Sequence, residues 1–384
     1  MDDVIASVIK FREELHRMPE LAGQEVKTCA AIRRELALIP GVRVLPPFLQ
    51  TDTVAFIDGC VPGKNVTLRA DIDALAVTED TGAAFTSEIP GMMHACGHDV
   101  HTAILLGTAK VLAAKRHGFA GSVRLVFQPG EESLAMARDL VDAGAIADPV
   151  PDFTAALHVE PGLPQGTIGV KDGCMASSCL HYEVEFIGKG GHGSAPHMAR
   201  NPILAAAAAI GELQYAANTR IDVRQPSVLS ICAINGGAMD NVIPERCSFI
   251  GTLRTLDNAV ADELLAAVTE VCQAVAQAHR LKCEIRLGGN YPAVVNPASG
   301  VETAVLAAEK AGLPVVKLSE PAMSSEDFSC FLLKSPDGVF VRFGAGEGLP
   351  PLHNPKFLPP SGMIRQGIEY MSALALTVLE RQGK

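Results

Sequence analysis

The sequence of 384 residues lacks long apolar runs, an excess of basic residues and a basic leader. Its longest uncharged apolar candidate, Ile203 to Ile210, is far shorter than the ~20 residues of a membrane-spanning helix. Its 32 basic and 43 acidic residues give a net charge of −11, and an acidic chain repels the phosphates of nucleic acids. Because the first residues, MDDVIASV, do not resemble a secretory signal, we expect a soluble, cytoplasmic protein with no nucleic-acid or membrane partner.

The ten cysteines are scattered and form no Cys-x-x-Cys pair, which argues against a disulfide scaffold. We expect most of them to be buried as small apolar residues, and Cys232 and Cys272 lie in apolar runs. This use of cysteine indicates a reducing compartment. The sequence also has no G-x-S-x-G motif, so a serine hydrolase is disfavoured.

Strand and helix patterns alternate over most of the chain, which predicts an α/β domain with a central mixed sheet flanked by helices. The runs that matter most below are strands at Val66–Ala70, Val123–Phe127, Phe153–Leu157 and Gly338–Phe343, and helices at Thr102–Lys115 and Ala135–Ala143. From about His181 the order changes to β-α-β-β-α-β, that of the ferredoxin-like split unit. We therefore predict one α/β domain in two segments, 1–180 and 290–384, with a smaller α+β domain inserted at 181–289.

Possible metal ligands are concentrated in one short segment between two predicted strands. Five of its eight residues can bind a metal: His94, Cys96, His98, Asp99 and His101. Further candidates follow strand ends or a glycine loop: Asp71, Asp73, Glu131, Glu132, His158 and His353. Sites in open α/β sheets form beyond the carboxyl ends of strands, so these side chains are placed to converge. Thiolate, imidazole and carboxylate together suit zinc or a neighbouring transition ion.

Glu131 and Glu132 are adjacent, and adjacent side chains diverge, so both can hardly face one ion. We therefore expect different roles for the two glutamates: one binds the metal, and the other acts as a base toward the metal-bound water. Taken alone, the pair would instead be two acids that favour the positive end of a helix dipole.

The segment Gly188–Gly193 matches G-x-G-x-x-G but does not open a helix in a βαβ unit, so dinucleotide binding is disfavoured. The glycines do allow a flexible loop that presents His192. Asn241 and Arg254 are the other polar candidates of the inserted domain. The guanidinium of Arg254 suits either a substrate carboxylate or a surface ion pair.

Nine sequence blocks together resemble the metal-dependent amidohydrolase branch of the aminoacylase and carboxypeptidase clan. The blocks are LRADIDAL, MHACGHDVHTA, FQPGEE, LHVEPGLPQG, GKGGHGSAPH, NVIPE, GTLRT, MSSEDF and LHNPKF. This branch contains hippurate hydrolases, N-acyl-amino-acid amidohydrolases, auxin-conjugate hydrolases and N-acetyl-diaminopimelate deacetylases. The likeness runs from Leu15 to Phe357 and implies a zinc-exopeptidase-like catalytic domain. Gly130 and Gly191 stand where this branch commonly has alanine, and Leu358-Pro-Pro replaces a commonly acidic segment.

The resemblance implies two divalent ions per subunit (Zn, Mn, Co or Ni), and it implies a role for each candidate. The implied ligands are Cys96 in the bridging position, His98, Glu132, His158 and His353. Glu131 is the implied base, Asp73 lies behind the metals, His192 holds the oxyanion from across a dimer, and Asn241 and Arg254 bind the substrate carboxylate. The inserted domain would serve as a lid and as the interface of a homodimer or a tetramer.

The leading hypothesis is metal-dependent hydrolysis of N-acyl or N-aroyl amino acids to a carboxylic acid and an amino acid. A non-catalytic metal- or ligand-binding protein with the same fold is the alternative, but such a protein would not need a base such as Glu131. A hydrolase with Cys96 as nucleophile is a third hypothesis, and it is disfavoured because a thiolate bound to a metal is not free to attack.

Overall fold

A computed structural model describes residues 1–380, which contain ten helices and sixteen strands. The helices are α1 (Asp2–Arg17), α2 (Val26–Ala37), α3 (His98–Lys115), α4 (Glu131–Leu134), α5 (Ala137–Asp142), α6 (Pro202–Arg220), α7 (Asn258–His279), α8 (Ala298–Lys310), α9 (Ser329–Leu332) and α10 (Met363–Glu380). The strands are β1 (Val42–Val44), β2 (Thr53–Asp58), β3 (Asn65–Asp71), β4 (Ser122–Gln128), β5 (Phe153–Pro161), β6 (Ile168–Val170), β7 (Gly173–Ala176), β8 (Cys179–Ile187), β9 (Gly191–His192), β10 (Ser227–Asn235), β11 (Val242–Ile243), β12 (Arg246–Thr255), β13 (Lys282–Tyr291), β14 (Val294–Asn296), β15 (Val315–Lys317) and β16 (Gly338–Gly346). Within residues 1–380, every helix is too short or too polar to cross a bilayer.

The chain divides into two compact units, and the first is built on an eight-stranded sheet. This unit comprises residues 1–175, 294–320 and the chain from Asp327 onward. The strand order is β1-β2-β4-β3-β5-β16-β6-β15, with parallel pairing from β4 through β16 and antiparallel pairing of β1 with β2, β2 with β4, and β16 with β6. The predicted mixed sheet flanked by helices is therefore confirmed.

The centre of this unit is buried on both faces of the sheet. Every residue of β3 is buried, as expected for a central parallel strand covered on both sides. Helix α3 is apolar on nearly all sides and packs against β3, α1 and α10, so it is a core helix rather than a surface one. The start of α3 at His98 is consequently held in a densely packed environment.

The second unit comprises residues 176–293 and 321–326 and has the ferredoxin-like topology expected from the sequence. Its antiparallel sheet has the order β10-β12-β8-β13, with β10 and β13 at the edges. Buried and less buried residues alternate along β8 and β12, because α6 and α7 cover one face of the sheet. The domain boundaries predicted at 181 and 289 stay a prediction.

Two local expectations were wrong. The helix predicted at Ala135–Ala143 is broken: α4 ends at Leu134, Ala135 has a φ of 52°, and α5 begins only at Ala137. A tertiary contact explains the break, since the Asp327 carboxylate accepts a hydrogen bond from the Ala137 amide at 3.0 Å and caps α5.

The burial of the cysteines follows the prediction in most cases but not at Cys232. Six of the ten are buried, Cys272 among them, and none of the ten is in a disulfide. Cys232 is exposed because the register of β10 against β12 shifts between Ile231 and Ala233, which makes Cys232 the extra residue of a bulge.

Candidate metal centre

Four neighbouring parallel strands of the first unit end at the same edge of the sheet. Their order is β4, β3, β5 and β16. β3 ends at Asp71, β4 ends three residues before Glu131, and β5 carries His158 near its end. This edge brings together the five side chains that the resemblance implies as ligands: Cys96, His98, Glu132, His158 and His353.

Cys96 belongs to two of the groups of possible ligands in residues 1–380, as do Glu131 and Glu132, whereas His98 belongs to three. The ligand atoms of Cys96, His98 and His158 lie within 4.8 Å of one another, and so do those of Cys96, Glu132 and His353. The Cys96 sulfur is 3.4 Å from His158 Nε2, and His353 Nε2 is 3.3 Å from Glu132 Oε1. The thiolate, imidazole and carboxylate atoms of these groups would suit a pair of transition ions.

The backbone around these ligands adopts conformations that direct them inward. Gly97 has a φ of 83°, and a Cβ there would lie 2.7 Å from the Val159 side chain, so only glycine fits between Cys96 and the start of α3. His353 is one of three non-glycine residues with positive φ within residues 1–380, at 65°, and its amide donates to Ala95 O at 2.8 Å. Such strain at a possible ligand is typical of a functional site.

The hydrogen bonds of His98 and His158 fix which ring nitrogen carries a proton. His98 Nδ1 lies 3.0 Å from the Asp73 carbonyl oxygen, and His158 Nδ1 lies 2.7 Å from the Val159 carbonyl oxygen. A carbonyl oxygen can only accept, so Nδ1 is the donor in both rings. The Nε2 atoms are thus the ones left to bind a metal, as second-sphere contacts commonly ensure.

His101 belongs to the same sequence cluster but is engaged at both ring nitrogens. Its Nε2 accepts a hydrogen bond from the Val159 amide at 2.9 Å, so its Nδ1 donates to Asp71 Oδ1 at 2.5 Å. Asp71 in turn is held by the guanidinium of Arg69 at 2.7 Å. We therefore assign His101 to the support of β5 beside His158, and not to the ligands.

The charges around the centre favour a bound cation. Burial disfavours a charge on His98, but Asp71 and Asp73 outweigh it and raise its pKa to about 10. Its buried Nε2 nevertheless has no hydrogen-bond partner. Burial, Glu132 and Glu131 raise the pKa of the Cys96 thiol well above its usual range. Carboxylates that stabilise a proton at His98 Nε2 stabilise a divalent ion there too, so the donor set fits a metal.

His353 forms the more open side of the centre. Its side chain is 53% exposed, whereas those of His98 and Glu132 are 0% and 8% exposed. The Glu132 carboxylate, whose Oε1 lies 3.3 Å from His353 Nε2, raises the pKa of His353, although partial burial opposes this. Among these three candidate ligands, His353 is therefore the one that solvent reaches most readily.

Glu131 and Glu132 are the first two residues of the short helix α4, and their carboxylates do not diverge as the sequence led us to expect: an oxygen of each lies within 4.8 Å of the other. Glu131 is buried, and its carboxylate belongs to a group with His98 and Glu132 whose ligand atoms lie within 4.8 Å of one another. Asp73 supports this arrangement twice, because Oδ1 lies 3.1 Å from His98 Nδ1 and Oδ2 accepts from the Glu132 amide at 2.9 Å.

The remaining predicted site residues lie in the second unit. His192 is in β9 and pairs with Val242 of β11, which places it beside Asn241; the Asn241 carbonyl accepts from the Gly193 amide at 2.8 Å. The His192 ring accepts a hydrogen bond from the Ser194 amide. Arg254 donates to the Met323 carbonyl at 3.0 Å. The structure thus brings His192 and Asn241 together, while their roles and that of Arg254 stay predictions.

Sequence reasoning missed a buried layer behind the ligands. Arg69 contacts Asp71, Asp327 and Gln128 at 2.7 to 2.8 Å, and all of these side chains are buried. The signal was an arginine inside an apolar strand, two residues before Asp71. Such an arginine must find buried anions, because an unpaired buried charge is very costly.

Comparison with known proteins agrees with this geometry. Residues 67–377 match the family described as Peptidase family M20/M25/M40. The chain belongs to this family. It is 36% identical to an N-acetylcysteine deacetylase of Bacillus subtilis strain 168 over 97% of each chain, and 33% identical to an N-acetyldiaminopimelate deacetylase of Streptococcus uberis over 95% of this chain and 97% of that one. The resemblance stated from the sequence is confirmed.

A solved M20 structure matches the whole fold. A Bacillus subtilis protein described as a dinuclear metal binding peptidase from the M20 family is 33% identical and has a TM-score of 0.83, with 99% of each chain covered. The present chain is accordingly an enzyme of the amidohydrolase and deacetylase group of the M20 family.

Proposed function

We propose that this M20 enzyme hydrolyses the amide bond of N-acyl amino acids in a metal-dependent reaction. The observation that carries the proposal is the convergence of Cys96, His98, Glu132, His158 and His353, with the buried Glu131 beside them. Acetyl is the first acyl group to test, because two relatives are named for the deacetylation of amino acids. N-aroyl amino acids such as hippurate are the second.

The proposed cofactor is a pair of divalent ions, Zn, Mn, Co or Ni, held by the two ligand groups that share Cys96. The dinuclear description of the B. subtilis structure supports this number. When bound, such ions lower the pKa of water and polarise an acyl oxygen.

The chain supplies the proton transfers and the binding contacts. Glu131 takes a proton from the attacking water as the oxygen adds to the acyl carbon, and it returns a proton to the nitrogen as the C–N bond breaks. Asp73 keeps His98 and the Glu132 backbone in place. His192 is proposed to stabilise the oxyanion, while Asn241 and Arg254 bind the carboxylate that every N-acyl amino acid carries.

Replacement of Glu131 by glutamine tests the base directly. We expect Glu131→Gln to retain both metals, because the ligands are unchanged, and to lose about 10² to 10⁴-fold in kcat, because glutamine cannot accept the proton. Metal content is measured on the purified protein, and kcat on acetyl-amino acids, acetyl-diaminopimelate and hippurate. Near-normal turnover would contradict the role of Glu131.

Chelation separates the main hypothesis from its alternatives. A cysteine nucleophile predicts that alkylating agents abolish turnover while chelators do not. A non-catalytic binder predicts bound metal and no hydrolysis of any amide in the panel. Loss of turnover on chelation, with recovery on return of metal, supports the proposed reaction.

We also propose a cytoplasmic homodimer or tetramer formed through the second unit. The edge strands β10 and β13 support this, because an open edge is a template for pairing with a second chain. The ten free cysteines support a reducing compartment. Light scattering on the purified protein tests the assembly, and a monomer at micromolar concentration would contradict it.

A further inference from the structure

Glu25 is a buried carboxylate of the first unit that has no part in the roles above. It directly precedes α2 and is 0% exposed. Its Oε1 accepts two backbone hydrogen bonds, one from the Gly23 amide and one from the Gly130 amide, both at 2.9 Å. One buried oxygen thus ties the start of α2 to the loop that precedes Glu131.

Gly130 sets the direction in which the chain enters α4. It has a φ of 68°, and Glu131 follows as the first residue of the helix. On the other side of Glu131, the Glu132 amide donates to Asp73 Oδ2 at 2.9 Å. The proposed base therefore lies between two backbone amides, each held by a buried carboxylate from elsewhere in the chain.

Helix α4 is too short to hold this geometry by itself. It has four residues and ends before Ala135, whose φ is 52°. Helix formation is cooperative, and a single turn is unstable without external contacts. The contacts of Glu25 and Asp73 supply such support at the N-terminal end of the turn.

We propose that Glu25 is a positioning residue for Glu131, acting through the Gly130 amide. The inference rests on the proposed amide hydrolysis, in which Glu131 is the base. Glu25 holds the Gly130 amide through the position of its acceptor oxygen. The negative charge of the carboxylate contributes less, because the carbonyl oxygen of a side-chain amide can accept the same two hydrogen bonds.

Two conservative variants separate these properties. Glu25→Gln keeps the length and an acceptor oxygen but removes the charge, whereas Glu25→Asp keeps the charge but is one methylene too short to reach Gly130. We expect Glu25→Gln to stay within a few-fold of wild-type kcat. We expect Glu25→Asp to lose about 10²-fold in kcat with KM within a few-fold, since a shift of about 1 Å in a catalytic group costs that much.

Glu20→Asp is the matched control for Glu25→Asp. The Glu20 carboxylate accepts from the Lys27 and Thr28 amides and so stabilises the same end of α2, but it does not contact the Gly130 loop. If the loss of kcat in Glu25→Asp came only from a weakened α2, Glu20→Asp would lower kcat by a similar factor. That result would overturn the proposal.

Hydrogen exchange of the peptide 129–136 gives a readout that does not depend on activity. We expect the Gly130 amide to be protected in the wild type and in Glu25→Gln, and to exchange faster in Glu25→Asp. Rapid exchange of Gly130 in the wild type would overturn the proposal without any variant, even if Glu25→Asp does not fold. An inactive wild type with a protected Gly130 would instead contradict the proposed hydrolysis and leave the backbone contact established.

Discussion

At the scale of single residues, backbone carbonyls and amides decide what each histidine of the centre can do. His98 and His158 give their Nδ1 protons to carbonyl oxygens and keep Nε2 for a metal. His101, three residues after His98, has both nitrogens engaged. Three histidines of similar burial are thus suited to two different functions, because their hydrogen-bond partners differ.

The support by His101 predicts a loss of metal affinity when it is replaced. His101→Asn is expected to lower the affinity of the centre by about 10 to 100-fold, because the shorter side chain cannot bridge Asp71 and the Val159 amide. Competition with a chelator measures the affinity. The exposed His117 provides a control, since His117→Asn removes an imidazole far from these contacts. Equal affinities of wild type and His101→Asn would contradict the support role.

Gly130 replaces the alanine that is common in the branch, and its surroundings explain why glycine suits this chain. A Cβ at Gly130 would lie 2.4 Å from Met136 Sδ, and the φ of 68° disfavours a side chain in any case. We expect Gly130→Ala to lower the free energy of unfolding by more than about 1 kcal/mol. Gly211→Ala should raise it by about 0.5–1 kcal/mol, because Gly211 lies inside α6 with open space around it. Urea denaturation compares the two, and a stabilised Gly130→Ala would contradict this account.

At the scale of elements, α1 fixes the start of α3 through a buried charge network. Arg12 Nε and His16 Nδ1 contact Asp99 Oδ2 at 2.5 and 2.8 Å, and Asp99 directly follows His98. The ring of His16 is also 3.2 Å from Glu79. The network ties two helices together next to the candidate metal centre.

The His16 contacts predict a pH-dependent part of the stability. Burial disfavours the charged form of the His16 ring, but the charge and the hydrogen bond of Asp99 outweigh burial and raise the pKa of His16 above 6.5. The charge of Arg12 lowers this pKa, and the charge of Glu79 raises it. The His94 ring also faces His16, with 6.2 Å between the ring centres. Because the pKa of His16 is higher in the folded state than in the unfolded state, protonation of His16 stabilises the fold. This stabilisation is complete below pH 6.5 and is lost as the pH rises through the pKa of His16 in the folded state.

The measurement is the difference in unfolding free energy between wild type and His16→Gln. We expect the advantage of the wild type to shrink from pH 6 to pH 9, because only the wild type releases a proton from this position. A difference that grows with pH would contradict the assigned shift.

At the scale of the whole molecule, the sequence predicts the position of a site residue well when that residue follows a strand. It does not predict contacts between segments that are distant in the chain. The positions of Asp73, His158 and the Cys96 segment follow from strand ends and spacing. The Gly130–Glu25 contact does not, because it depends on how α2 packs against a loop about a hundred residues away. The break at Ala135 has the same origin, since local periodicity is overridden by Asp327.

Metal binding should stabilise the first unit as a whole. Ligands from four separate segments meet at the centre, so binding is linked to folding, and a metal at 100 times its Kd adds about 2.7 kcal/mol. We expect the thermal midpoint to fall on chelation in the wild type and in Glu131→Gln alike. Cys96→Ser should show a smaller shift, because it removes the shared sulfur. A midpoint that is indifferent to chelation in the wild type would contradict a metal centre.

The bulge in β10 exposes the thiol of Cys232, which can therefore be labelled. Of the ten cysteines, all within residues 1–380, Cys232 and Cys60 are the two exposed ones, and they lie in different compact units. Accessible thiols react first with maleimide dyes. With a donor dye on one thiol and an acceptor dye on the other, the efficiency of energy transfer would report the distance between the two units. It could be followed in solution while an acyl amino acid is added.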